Sequence, residues 1–378
     1  MGRMSLYPPN FRPEIPTLGV EIEYQIIDAS TMELSSDTTA LLEEGAAIYG
    51  EHIKPEFHAP MVECITTVCD TVRDVREQVG ELRRTVIGLA QKRGLCVAAA
   101  STHPTSHWKD VRLTPGERYL QIQKDFGDIA RSNLIYGMHC HVGISDPEAR
   151  IAVMNAARYF LPHILALSCS SPFWQGRDTG LCTARTGIFR RFPRTGLPDY
   201  FNSHAEFESY VATLVQTGSI DDAKKIYWDI RPHPYFPTIE FRAMDTPTTL
   251  RETVAIVAFI QVLTTRLVNL WRRNMGYRLF RRALIAENMY RAMRHGLAGE
   301  FIDLATKKVV PTREMIRICL EEWSEEIRLL GVEEEMAAVH EILDRGNSAD
   351  RQRRVFQETG DLTQVTRHLV EETLQGVL

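Results

Sequence analysis

The stretch "PTLGVEIEYQIID", residues 16–28, decides how this chain is read. Apolar and charged residues alternate along it: Val20, Ile22 and Tyr24 point one way, and Gly19, Glu21 and Glu23 the other. Successive side chains of a strand face opposite sides of a sheet, so the two glutamates share one face, ~7 Å apart. Gly19 clears space beside them. The pattern returns further along the chain. "PEFHAPMVECIT" puts Glu56 and Glu63 on neighbouring strand candidates. "YGMHCHVGI" puts His139 and His141 on one face with Cys140 opposite, and "PTIEFRAMD" puts Glu240 and Arg242 together against Ile239, Phe241 and Ala243.

A solvated sheet face can carry alternating glutamates for no further reason, and a lone H-x-H pair is as often a core or surface feature as a ligand pair. Composition argues otherwise. A solvated face mixes Lys, Glu, Thr and Ser, whereas these faces offer glutamates, histidines and arginine with almost no lysine. Two unit charges ~5 Å apart repel by roughly 3 kcal/mol at an effective dielectric near 20. Either a carboxylate takes up a proton or a cation bridges the group. Oxygen-rich ligation with an occasional imidazole suits Mg²⁺ or Mn²⁺ better than structural zinc. Arg231, Arg242 and Arg185, with Arg190, Arg191 and Arg194, supply planar donors for phosphate oxygens. Metal plus arginine points to phosphoryl transfer. There is no Walker A motif, no G-x-G-x-x-G, no H-E-x-x-H and no G-x-S-x-G, so ATP would bind on a sheet face through metals.

The bulk numbers agree with a globular enzyme. A chain of 378 residues, 44% hydrophobic and 25% charged, can bury a large core. A net charge of −5 argues against nucleic acid or an anionic membrane as the main partner. No window approaches 18 uninterrupted apolar residues, and the best run, Val254 to Leu263, is too short to span a bilayer. The N-terminal segment has no apolar core of a signal peptide and reads as an extended, proline-rich lead-in. Seven scattered cysteines without C-x-x-C suggest reduced thiols in a cytoplasmic protein. Only Cys140, between two histidines, has neighbours that could activate it.

Strands are expected at 18–27, 52–57, 61–67, 95–101, 137–144, 226–233 and 237–243, and helices at 37–48, 70–93, 117–130, 148–168 and 204–217. From Thr248 strand patterns vanish and helices follow, at about 249–273, 278–294, 311–330, 333–345, 348–357 and 361–376. The fold class is α+β: a catalytic sheet region over 1–247 and a helical region over 248–378, packed as one unit. Exposed apolar helix faces in the second part would suit a homodimer. The irregular stretch 170–202, rich in glycine, proline and arginine, is long enough to be functional, and its arginine-rich part, 176–201, would serve as a lid.

"GVEIEY", "STHPTSHW", "ERYLQI", "GMHCHVGI", "SSPFWQGRDTG", "WDIRPHPYFPTIEFRAMD" and "ENMYRAMRHGL" follow one another in this order. In that order they resemble the carboxylate–amine ligase family, also called glutamate–cysteine ligase type 2, within the glutamine synthetase-like superfamily. The resemblance implies a curved antiparallel sheet, a half-barrel or funnel, with ATP and metals on its concave face and helices outside. It implies metal ligation by Glu21, Glu23, Glu63, His139 and Glu240, and an arginine near the transferred phosphate at Arg242. Arg185 and Arg231 would bind phosphate or carboxylate, and Glu56 and His141 would contact substrate. "ENMYRAMRHGL" could bring Arg291 or Arg294 to the site. The implied reaction joins two small amino-acid substrates, glutamate and an amine such as cysteine, through an acyl phosphate. A metal-dependent hydrolase using the His/Glu cluster and a silent nucleotide-binding protein are the alternatives.

Overall fold

The computed structural model describes residues 6–8 and 10–377. Of the lead-in, residues 1–5 and Pro9 lie outside the described part. Its remainder runs along a long helix, where Asn269 bonds both the amide and the carbonyl of Glu14 at 2.8 Å.

Seven strands form one antiparallel sheet: β1 (Leu18–Asp28), β2 (Ile53–Pro55), β3 (Met61–Ile65), β4 (Leu95–Ala98), β5 (Met138–Gly143), β6 (Ile230–Pro232) and β7 (Thr238–Phe241). Their spatial order is β6-β7-β5-β1-β3-β2, and β4 pairs with the end of β1 beyond β5. The alternation of β1 sets the two faces. Val20, Ile22, Tyr24 and Ile26 are almost wholly buried, with Cys140, Val142, Ile239 and Phe241 beside them. Two helices are prominent in the same hydrophobic core, Val72–Gln91 and Leu250–Arg272. Each starts at a capping box, Thr71 with Asp74 and Thr249 with Glu252, which satisfies amides the helix itself leaves open. Arg83 reaches from the first helix into the core, donating to the Tyr24 hydroxyl at 3.1 Å and the Thr248 carbonyl at 3.0 Å.

Two helical segments, Pro147–Ser168 and Leu250–Arg272, are long and apolar enough to cross a membrane, but 94% and 89% of their apolar windows are buried inside the protein. They are core helices here. The helix expected over 148–168 breaks at Arg158–Phe160, just before Pro162, which cannot donate a helical hydrogen bond. The expectation that strands end at Thr248 is overturned by a hairpin, Glu300–Asp303 with Lys308–Pro311. The strand expected over 226–233 is two pieces. Tyr227–Trp228 pairs with Thr195–Gly196 in parallel, and β6 joins the main sheet after a bend at Asp229.

Stretch 170–202 is fastened along its length. Besides that parallel pairing, Arg191 donates to the Ser132 carbonyl at 3.0 Å and Arg194 to the Lys225 carbonyl at 2.9 Å. These contacts tie it to the segments around Ser132 and Lys225–Trp228. "STHPTSHW" is a bracket: His103 accepts from the amide of Ser106 at 3.0 Å, while Thr105 and Ser106 hydroxyls hold Glu33. Arg291 pairs with Glu287 and Arg294 bonds the Gly180 carbonyl, so both brace this part of the fold instead of entering the sheet face.

Candidate active site

The face of the sheet opposite the core gathers the charged residues in rows set by strand register. One row crosses β6, β7, β5 and β1 as Arg231, Glu240, His141 and Gly19. A second pairs His139 on β5 with Glu21 on β1. A third crosses β2, β3 and β1 as Lys54, Glu63 and Glu23. Gly19 closes the first row opposite His141, and a Cβ there would meet the His141 Cβ at 3.5 Å, an ordinary contact.

Glu21 holds two imidazoles. His139 Nδ1 lies 3.0 Å from one carboxylate oxygen and His141 Nε2 lies 3.3 Å from the other. Burial raises the Glu21 carboxyl, but its hydrogen bonds to His139 and His141 outweigh this and hold it well below the usual range. Burial, helped by the Arg242 charge, pulls His139 down to about 4, which keeps the ring neutral and able to act as a ligand. Glu21, His141 and Glu240 offer ligand atoms that all lie within 4.8 Å of one another. His139 Nδ1 stands 3.9 Å from Glu240. These groups fit a divalent cation, and they place His141, expected only as a substrate contact, among the candidate ligands.

Glu240 is the anchor of the cationic end. Arg231 Nε pairs with it at 2.7 Å and Arg242 pairs with its other oxygen. Burial opposes ionisation of Glu240, yet the two guanidinium groups hold its carboxyl far below the ordinary value. Arg231 is otherwise occupied, since its NH1 donates to the carbonyls of Lys224 and Ile226. It positions Glu240. Arg242 and Arg185 differ, because each keeps a buried Nε with no hydrogen-bond partner. Among the described residues the Arg185 guanidinium makes long hydrogen bonds of 3.4 Å to the Arg242 carbonyl and lies over the Phe189 ring. Buried unpaired donors are costly unless a ligand takes them up. Arg190 adds another such Nε and stands 3.8 Å from Asp229.

The third row is acidic. Burial, with the charges of Glu56 and Glu63, pushes Glu23 well above the carboxylate range, although Arg185 and the Gly137 amide, which donates to Glu23 at 2.6 Å, work against it. Burial and the charges of Glu21 and Glu56 push Glu63 up to about 7, with Lys54 opposing at 2.8 Å. Burial works against the Lys54 ammonium, but the carboxylates around it outweigh that and raise its pKa. Glu56 lies just past β2, where it accepts from the Phe57 amide at 2.9 Å.

Three residues essential to this geometry escaped the sequence reading. Lys54 falls inside the strand expected over 52–57 and has no expected role there. Gly137 makes room for Arg185, since a Cβ there would come within 3.0 Å of the Arg185 Cζ. Asp245 is wholly buried behind Arg185, accepting from the Ser170 amide at 2.9 Å and from the Ser171 and Thr183 hydroxyls at 2.7 Å. The "AMD" that ends one motif was the available signal. Cys140 drops out as a nucleophile: it faces the core, and burial raises its thiol far above the ordinary value. Beside the cationic end a cavity of about 670 Å³ is lined by Arg231, His233, Tyr235 and Phe236 together with the helix His204–Gln216, and His233 stacks on Phe236 at 4.6 Å.

Comparison with known proteins shows what the whole chain resembles. The profile of glutamate–cysteine ligase family 2 matches residues 17–368. A protein of Solibacter usitatus named as a candidate glutamate–cysteine ligase 2 is 45% identical over 367 residues, 97% of this chain and 95% of its own length. One of Roseiflexus castenholzii with the same name is 47% identical over 366 residues, covering 97% of each chain. Among solved structures, a glutamate–cysteine ligase of Francisella tularensis in complex with AMP superposes with a TM-score of 0.69 at 13% identity, over 97% of this chain and 91% of that one. A bifunctional glutathione synthetase of Pasteurella multocida gives 0.71 at 15% identity, over 96% of this chain and 52% of that one. At such identities these two speak for the fold, a mixed structure with an open antiparallel sheet.

Proposed function

The chain belongs to glutamate–cysteine ligase family 2, and from that premise and the geometry of the charged face we propose that it is an ATP-dependent carboxylate–amine ligase. The observation that carries this reading is the division of one face into two ends. Glu21, His141, Glu240 and the neutral His139 form a cation-competent group. Next to it, Arg242 and Arg185 each present a buried Nε that no group among the described residues satisfies. Together they suit a metal-bound triphosphate whose terminal phosphoryl group is handed to a carboxylate.

Glutamate is the acid proposed from the family, and cysteine the first amine to try. The substrate carboxylate attacks the terminal phosphorus, ADP leaves, and an acyl phosphate forms. The amine then attacks the acyl carbon, and phosphate leaves as the amide bond closes. Arg242 and Arg185 would meet negative charge on the phosphoryl oxygens, Arg231 would hold Glu240 in place, and buried Asp245 would hold the segment that carries Arg185. Glu56, beside Glu23 and Glu63, faces the place where an ammonium-bearing substrate gains most from negative charge. When bound, Mg²⁺ or Mn²⁺ supplies neutralisation of the phosphate charges. The cavity beside Arg231 and His233, with its stacked His233–Phe236 pair, suits the nucleoside part of ATP.

The test is Mg²⁺-dependent ADP release with glutamate and a panel of amines including cysteine, with Glu21→Gln as control. Release that needs both acid and amine and is lost in the variant supports the ligase and names its substrates. Release from no pair overturns it, and turnover without nucleotide would favour a metal-dependent hydrolase.

A further inference from the structure

Lys54 breaks the pattern of the charged face. The other cations facing it are arginines gathered around Glu240, Asp229 and Arg242. Lys54 stands at the opposite end, on the edge strand β2, in register with Glu63. Its Nζ lies 2.8 Å from Glu63 Oε2, an oxygen that no other protein group approaches closely enough to hydrogen-bond. Glu63 is in turn the register partner of Glu23. Among the described residues no ion pair reaches Glu23 or Glu56, so the ammonium at Glu63 is the one cation in contact with this acidic row, while Arg185 acts on Glu23 from further off.

Two features say that this pairing can be exchanged. The Lys54 side chain is 32% exposed while Glu63 is 6% exposed, so the ammonium has a way out to solvent along the open edge of the sheet and the carboxylate has none. A lysine is also a compact charge on a flexible stem, without the fork that fixes an arginine to its partner. An ammonium and a divalent cation cannot share one carboxylate oxygen at contact distance without strong repulsion. We propose that Lys54 is a built-in stand-in cation: it neutralises Glu63 in the cation-free protein, yields that oxygen when a divalent cation binds, and thereby sets how tightly the acidic row holds its ion. This rests on the ligase reading for the presence of a divalent cation at the face, bound within reach of Glu63 beside the group of Glu21, His141 and Glu240. Lys54 stays charged throughout and changes place, not protonation.

The experiment is Mn²⁺ binding followed by loss of the free-ion EPR signal at pH 8, for the full-length protein, Lys54→Met and Lys54→Arg. In parallel, acetylation of Lys54 by acetic anhydride is quantified by mass spectrometry with and without Mn²⁺ in the unmutated protein. The expected result is about tenfold tighter Mn²⁺ binding in Lys54→Met, no tightening in Lys54→Arg, and several-fold faster acetylation of Lys54 once Mn²⁺ is bound. Equal or weaker binding in Lys54→Met, or slower acetylation with Mn²⁺, would show Lys54 to be a fixed part of the site and overturn the proposal alone. Absence of Mn²⁺ binding in all three chains would overturn the cation site itself. The acetylation arm needs no variant, so a folding defect in Lys54→Met leaves the question decidable.

Discussion

Glu21 and His139 are register partners on β1 and β5, and the imidazole Nδ1 lies 3.0 Å from the Glu21 carboxylate. The contact fixes the ring: with Nδ1–H donating to Glu21, the lone pair of Nε2 is left free. A carboxylate that orients an imidazole in this way commonly changes metal affinity by ~10- to 100-fold when removed. Glu21→Gln keeps the shape and loses the charge. It is expected to weaken Mn²⁺ binding by at least ~10-fold and to slow ADP release by ~100-fold or more. Unchanged Mn²⁺ affinity in this variant would take Glu21 out of the cation site.

Gly137 sits between the acidic row and the arginines. Its amide donates to Glu23 at 2.6 Å, and the space where a side chain would go is filled by the Arg185 guanidinium. Gly137→Ala is therefore expected to displace Arg185 while leaving the fold intact, since the backbone there needs no left-handed conformation. ADP release should fall ~10- to 100-fold, with the KM for ATP rising and the melting temperature moving little. A variant with normal kinetics would show that Arg185 does not act where it stands.

Arg231 and Arg242 share Glu240 but predict different losses. The donors of Arg231 are spent on Glu240 and on two backbone carbonyls, so Arg231→Met removes a brace of the sheet edge. It is expected to lower stability by about 3 kcal/mol. Arg242 keeps a free Nε, and Arg242→Lys retains the charge while losing the planar fork. That variant should keep its melting temperature and lose ~10²- to 10³-fold in kcat. Thermal melts beside steady-state rates separate the two. The reverse pattern would exchange the roles assigned to these arginines.

The charged face was legible in the sequence because a strand has a period of two: Glu21, Glu23, His139, His141, Glu240 and Arg242 could each be placed on a face from their neighbours alone. What stayed hidden depends on pairing between distant segments. "IKPE" gives no sign that Lys54 lies opposite Glu63, since register joins them only once β2 meets β3. Nothing near Gly137 announces Arg185, 48 residues further on, as the occupant of its missing side chain. Of the arginines of 170–202 the resemblance singled out Arg185, but the reason appears only in the fold, where Arg191 and Arg194 hold backbone carbonyls while Arg185 keeps a free donor. The hairpin at Glu300–Asp303 was missed because two short strands leave too few residues for alternation to show.

His163 lies far from this chemistry and offers a test of the core. It is wholly buried, packed by Tyr159, Phe160 and Phe301 with ring centroids 5.2–5.7 Å away, and neither ring nitrogen has a well-formed hydrogen bond. Burial pulls its pKa down from 6.5 to about 4, so the folded protein holds the ring neutral. The unfolded chain takes up a proton at an ordinary histidine pKa. The stability this group contributes is therefore complete above pH 6.5 and drains away as pH falls towards 4. At pH 5 the loss amounts to ~2 kcal/mol. His163→Phe fills the same space with a ring that takes no proton. The variant should match or exceed the parent in stability at pH 8 and lose less between pH 8 and pH 5, by ~2 kcal/mol in urea unfolding. His58 and His103, also buried and held at about 4, leave the remaining acid sensitivity in place. If parent and variant lose the same stability over that range, the buried ring takes up its proton at the ordinary histidine pKa and burial does not hold it neutral.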